Sequence, residues 1–362
     1  MKKCLWIGGL ISLTCAGLSC IKGKIPSETV IPESRIDSGF LQYFRQNSGL
    51  IAGEGTRSIS LADGRTLWLF GQSHLNDFNA GNQMMNCAPN AHNAAMISDA
   101  AFVMQTLNNG NADFIPSNET GKWFSPLHGY QYNDTVFIFA KKEGGASLNT
   151  RTYVAKFHFP DLQLAQIDSF YLNNTLYGYT AYTDTSLGFC FVYGLYHPDS
   201  VADNALFVAR FPMNDIHMKW QYYSNNDWVD ASSSAQVIAK VPGENFSVRK
   251  IKKRYILLTQ TASKACNQGN EIYCQSAANP WGTFLNYHLI HRVGDSLSFT
   301  TPVTYGVCLH PQFLNANNEA LITYSISGYG TCIPTCSGGY DNPDYYRIRT
   351  VRIPLKKLDV GF

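Results

Sequence analysis

Two glutamates stand at matching places in the chain: Glu54 in GEGTRS and Glu244 in GENFSV each precede an apolar, strand-like run. Glycoside hydrolysis commonly uses two carboxyl groups flanking the scissile bond, about 5 Å apart for retention and about 6.5–9.5 Å for inversion. Glu54 and Glu244 are therefore the candidate catalytic pair, the bland alternative being surface carboxylates paired with Arg57 or Arg249. Similar positions elsewhere are polar or aromatic: His128 in SPLHGY, Tyr177 in LYGYTA, and His310 and Gln312 in LHPQFL. With Gln72 and His74 in FGQSHL, these side chains are candidates to hydrogen-bond a ligand's hydroxyls. The loop aromatic Trp281 is the candidate to stack on a sugar face, with Trp123, Tyr130, Trp228 and Tyr329 as weaker choices. Each has an ordinary packing alternative, and for His310, followed by proline, structural and ligand-binding roles stand even. No G-x-S-x-G elbow or Cys/His spacing supports a nucleophilic enzyme.

These residues lie far apart in sequence, so a repeated element must bring them together. Short apolar runs recur as LWLFGQ at 67, VFIFAK at 136, CFVYGL at 190, YILLTQ at 255 and ALITYS at 320, spaced 69, 54, 65 and 65 residues apart. A second motif, an alternating run carrying a basic residue, follows in later copies: TYVAKFHFPD at 152, ALFVARFPMND at 205, NYHLIHRVGD at 286 and YRIRTVRIPLKK at 346. Aromatic and β-branched residues dominate, and no long stretch has helical periodicity. Three or four antiparallel strands per unit make one propeller blade. The reading is an all-β, five-bladed β-propeller over residues 38–362, in which GEGTRSISLADGRTLWLFGQSH supplies the first blade's two inner strands. A β-sandwich would not explain a period near 65.

The N-terminus reads as an export signal. Residues 1–20, MKKCLWIGGLISLTCAGLSC, pair a basic start with an apolar run too short to span a bilayer, for which ~20 apolar residues are needed. Gly17-Leu18-Ser19-Cys20 looks like a loose lipobox, making Cys20 the expected lipidation site, with a plain signal peptide as the alternative. Residues 21–37 form the expected flexible tether, and the expected location is the cell envelope, as a lipoprotein held by its anchor alone. Without Lys2 and Lys3 the 28 basic residues fall to 26, equal to the 26 acidic ones. That balance argues against nucleic acid as a partner.

Seven cysteines follow Cys20. In an exported chain, Cys332 with Cys336, and Cys266 with Cys274, are expected to close two short disulfide loops. A zinc site is disfavoured, because neither pair has C-x2-C spacing or a His pair nearby. No metal or cofactor is expected. Cys190, inside GFCFVYG, reads as a buried thiol, and the pairing of Cys87 and Cys308 is open.

The segments YFRQNSGLIAGEGTRSISLADGRTLWLFGQSHL, FVYGLYH, FVARFP with WQYYSNNDW, ENFSVRKIKKRYILLTQ and HPQFLNANNEALITYSISGYG together resemble bacterial secreted families classed as domains of unknown function. Those families are similar to five-bladed glycoside hydrolases of the arabinanase and β-xylosidase type. The resemblance covers about residues 40–355 and implies a carbohydrate-facing pocket. The chain departs from the pattern in carrying Glu54-Gly55 for Asp-Gly, Gln72 for an Asp, and Gln312 for a Glu. An amide cannot transfer a proton at neutral pH, so the departures weigh against catalysis.

The expectation is a propeller that binds a glycan or oligosaccharide at its central channel without cleaving it. A glycoside hydrolase using Glu54 and Glu244 is the alternative, and a protein-interaction scaffold at the envelope is the second alternative.

Overall fold

The computed structural model describes residues 33–110, 112–144, 151–196, 204–261, 265–296, 301–327 and 340–360. Five antiparallel sheets are arranged as the blades of a β-propeller. Blade 1 comprises Arg57–Ser60, Thr66–Phe70, Ala94–Ser98 and Met104–Thr106. Blade 2 comprises Trp123–Tyr132, Thr135–Glu143, Arg151–His158 and Leu164–Tyr171. Blade 3 runs from Thr175–Asp184 through Phe189–Tyr196 and Asn204–Pro212 to an added hairpin, Gln221–Ser224 and Asp227–Val229. Blade 4 comprises Phe246–Ile251, Arg254–Gln260, Glu271–Ala277 and Leu285–Arg292.

Blade 5 closes the ring. Its strands are Val303–His310, Glu319–Ser327 and Arg349–Pro354, and its outermost strand is the first described strand, Arg35–Ile36. The tether expected through residue 37 therefore ends earlier, because Arg35 and Ile36 pair with Arg352 and Val351. Arg35 holds Glu319 through two bonds of 3.2 and 2.7 Å. Asp37 accepts from the Phe40 amide at 3.0 Å, capping the helical turn Ser38–Leu41, and from Arg352 Nε at 2.7 Å. Joining the first described strand to the last blade covers the outer edge of Arg349–Pro354.

The five recurrent apolar runs all fall in the second strand of their blades, so their spacing reports the blade repeat. The basic-residue motif is less regular. Three copies are third strands, but NYHLIHRVGD lies in the fourth strand of blade 4, Leu285–Arg292, because Glu271–Ala277 takes the third place. Tight turns carry the residues they need: Asn225 and Asn226, both at positive φ (49° and 63°), join the two strands of blade 3's added hairpin.

Blade faces bury aromatic and β-branched side chains against one another. Trp68, fully buried, stacks on Phe313 at 5.2 Å and meets Phe40 and Phe44, while its indole N–H is satisfied by Ser98 Oγ at 3.0 Å. This one residue joins blade 1, blade 5 and the N-terminal turn. Tyr193 is also fully buried and donates to the Pro280 carbonyl at 2.6 Å.

Cysteine chemistry differs from one of the two expected loops. Cys266 is disulfide-bonded, but Cys274 is a free, buried thiol in blade 4, so the Cys266–Cys274 bridge does not form. The β alternation points Cys274 into the apolar interior between Ile272 and Ser276, where burial suits a thiol. Cys87 is also disulfide-bonded, and Cys190 and Cys308 are free and buried. Cys332, Cys336, Tyr329 and Cys20 lie outside the described residues.

Candidate functional site

At one end of the propeller axis all five blades contribute to a polar cup of about 190 Å³. Blade 1 brings Glu54 and Arg57, blade 2 Lys141 and Glu143, blade 3 Tyr179, blade 4 Glu244, and blade 5 Tyr305. Glu54 and Glu244 thus share one mouth of the channel. The innermost strands enter with bulges, marked by register shifts at Tyr177/Thr180 in blade 3 and Tyr305/Cys308 in blade 5. Such bulges re-aim side chains near the axis. In blade 3 the bulge needs Gly178, at φ +106°, because a Cβ there would come within 2.3 Å of Phe139.

Glu54 lies over Gly71, where an added Cβ would approach its side chain to 3.2 Å, and its Oε2 accepts from the Tyr305 hydroxyl. Burial, then the Glu54 carboxylate, hold the Tyr305 phenol well above its ordinary value, so it stays a donor. Arg57 does not pair with Glu54; its NH1 donates to the Thr56 and Gly306 carbonyls, each at 3.2 Å. Lys141 instead joins the other two carboxylates, 2.8 Å from Glu143 Oε1 and 3.2 Å from Glu244 Oε2. Burial works against the Lys141 ammonium, but Glu244 and Glu143 outweigh it and hold it above its ordinary value. Tyr179 is buried and bonded to Glu244, and its phenol is also kept protonated, first by burial.

The remaining sequence candidates divide among other places. Tyr177 is in the core against Trp220 and Tyr222, because the Gly178 bulge turns Tyr179 toward the axis in its stead. His310 sits deep on the axis, five residues beyond Tyr305 on the same strand. Gln312 Nε2 donates to Ser58 Oγ at 2.7 Å, and His310 is hydrogen-bonded through Nδ1 to Ser58 Oγ at 2.6 Å and through Nε2 to Thr323 Oγ1 at 2.8 Å. Burial, then Arg249 and Arg57, keep His310 neutral. His310 and Gln312 therefore do not reach the cup. His128 is buried farther along the axis, where Arg249 NH1 donates to its Nε2 at 2.7 Å. His74 is enclosed beside Asp77 at 2.9 Å, and Gln72 is exposed outside the cup. Trp281 packs in an aromatic group with Trp228 and Tyr223, likewise outside it.

Lys141, Glu143, Tyr179 and Tyr305 were not singled out by sequence. The available signals were slight: Lys141 and Glu143 end the second strand of blade 2 as KKE, and Tyr179 and Tyr305 sit beside the glycines that bulge.

The fold and cup define a five-bladed propeller with a polar, carboxylate-rich mouth. Residues 37–353 match the family described as Domain of unknown function (DUF5005), and the chain belongs to that family. Comparison with the curated proteins finds no match. A solved structure of a protein from Bacteroides ovatus, described provisionally as a hydrolase, is similar with a TM-score of 0.69 at 16% identity, over 91% of this chain and 93% of that one. An exo-β-1,3-galactanase from Phanerochaete chrysosporium, solved with β-1,3-galactotriose, is similar with a TM-score of 0.51 at 11% identity, over 90% of this chain and 64% of that one. At these identities the likeness is one of fold.

Proposed function

We propose that the protein binds a carbohydrate in the five-blade cup and does not cleave it. The observation that carries the reading is the clamp of Lys141 on Glu143 and Glu244, opposite a Glu54 that accepts from Tyr305. Ionised carboxylates are acceptors and phenols and ammonium are donors, an alternation suited to the vicinal hydroxyls of a sugar. A volume of about 190 Å³, below the roughly 300–1,000 Å³ of drug-sized ligand sites, favours one terminal sugar unit over a longer stretch.

The clamp also argues against hydrolysis. Of the cup's three carboxylates, Glu143 and Glu244 are both engaged by Lys141, whereas glycoside hydrolysis needs a pair of carboxyl groups flanking the scissile bond. The hydrolase reading draws its support from Glu54, which makes no ion pair among the described residues and shares the cup with Glu244. Attachment to the cell envelope through Cys20 belongs to the same proposal, supported by the apolar run that ends in Gly17-Leu18-Ser19-Cys20.

A glycan array followed by a hydrolysis screen on every bound sugar tests the proposal. Retention of a glycan without cleavage is the expected result, and cleavage of the bound glycan would replace binding with catalysis.

A further inference from the structure

The other end of the axis holds a second pocket, of about 210 Å³, whose chemistry is unlike the cup's. Its polar lining comes from Ser60, His128, Gln131, Tyr182, Thr183 and Arg249, and no carboxylate lines it. Arg249 NH1 donates to His128 Nε2 at 2.7 Å and to the Ala181 carbonyl at 3.2 Å. Among the described residues no carboxylate pairs with Arg249. Asp184, next after Thr183, is engaged by Lys250 at 3.4 Å and by Ser186 and the Leu187 amide.

Arg249 is half-buried, a guanidinium partly withdrawn from water without a counter-ion is costly, and a neutral imidazole acceptor does not cancel its charge. Burial, then Arg249 and Arg57, hold His128 neutral, so the imidazole adds no charge of either sign. The interior thus carries positive charge that no side chain lining this pocket offsets.

We infer that this pocket binds a monoanionic carboxylate, with Arg249 as its charge partner and the Ser60, Gln131 and Thr183 side chains as hydrogen-bonding groups around it. The planar guanidinium matches a carboxylate's two oxygens, and one guanidinium facing the pocket balances one negative charge, not two. The carboxylate could be carried by a small free acid or by a uronic acid unit of an acidic glycan.

Calorimetric titration of the full chain with acetate and with glucuronate, at constant ionic strength and with glucose as the neutral control, tests this inference. Saturable binding of at least one acid, no response to glucose, and affinity at least about tenfold weaker in Arg249→Gln are expected. Glucuronate binding at least about tenfold tighter than acetate would identify the acidic sugar as the source, and equal affinities the free acid. Because Arg249→Gln could fail to fold, Ser60→Glu serves as a second variant. It places a carboxylate at the pocket wall and is expected to raise the melting temperature while abolishing acid binding. No saturable response in the parent protein, or an unchanged response in either variant, would overturn the inference.

Discussion

The hydroxyl of Tyr305 donates to the carboxylate of Glu54 across 251 residues of sequence, tying the first blade to the last at the rim of the cup. The contact holds Glu54 in place at the wall of the cup. Tyr305→Phe removes this donor from a half-buried position, and a loss of about 1 kcal/mol in stability is expected. Sugar affinity should fall by about three- to tenfold. Urea denaturation and calorimetry on the same variant measure the two effects. Unchanged affinity would mean that Glu54 does not contact the ligand.

Lys141 is expected to matter mainly because of what its removal leaves behind. Lys141→Met would set Glu143 and Glu244 side by side without their shared cation. Since the ammonium's folded value is raised, its contribution is fully present at and below neutral pH and is lost only as pH rises through that value, in the alkaline range beyond about 10. Denaturation at pH 7 should show the variant destabilised by about 1 kcal/mol, after allowance for solvent screening of the partly exposed partners. The deficit should persist at pH 5 and 8. A deficit that disappeared at pH 8 would contradict the assigned pairing.

Ring closure predicts the opposite pH dependence. Hydrogen bonding from Arg35 holds Glu319 below its ordinary value, and the Phe40 amide and Arg352 overcome burial to do the same for Asp37. These groups contribute stability above their unfolded values, near pH 4, and lose it as pH falls through their lower folded values. Asp37→Asn and Glu319→Gln should therefore be destabilised at pH 7 and converge with the parent protein as pH falls through those lowered values. Melting curves across pH 2–7 would reveal a constant difference if these carboxylates do not secure the first strand.

The five blades were legible in the sequence because each second strand is a short apolar run, and burial on both faces imposes that pattern. The cup was legible only in part. Glu54 and Glu244 could be found because they precede inner strands, but Tyr177, read as the matching position of blade 3, falls in the core, because the bulge at Gly178 presents Tyr179 to the axis. His310 was likewise read as a blade-opening position because it precedes the apolar run at 320, although it ends the inner strand Val303–His310. Disulfide pairing failed on sequence proximity: Cys266 and Cys274 are close in the chain, yet Cys274 points into the core.

Thiol labelling separates these cysteines. Burial pushes the Cys190 and Cys274 thiols up, so neither is expected to react with iodoacetamide in the native protein. In denaturant without reductant, peptide mapping should find Cys190, Cys274 and Cys308 alkylated, with Cys87 and Cys266 modified only after reduction. Alkylation of Cys266 before reduction would contradict its disulfide bond.

Attachment to the envelope has its own test. Cys20→Ala should release the protein from the membrane fraction or block its maturation, because a lipid on Cys20 is the proposed anchor. Unchanged fractionation would argue against it.

The most direct test of carbohydrate binding in the cup is calorimetric titration of a glycan-array hit into the parent protein and into Ser125→Trp, which fills the cup from the inner strand of blade 2. The account predicts saturable binding without product formation in the parent protein and at least about a tenfold loss in the variant. Equal affinity in the two proteins, or release of a cleaved sugar by the parent, would contradict it.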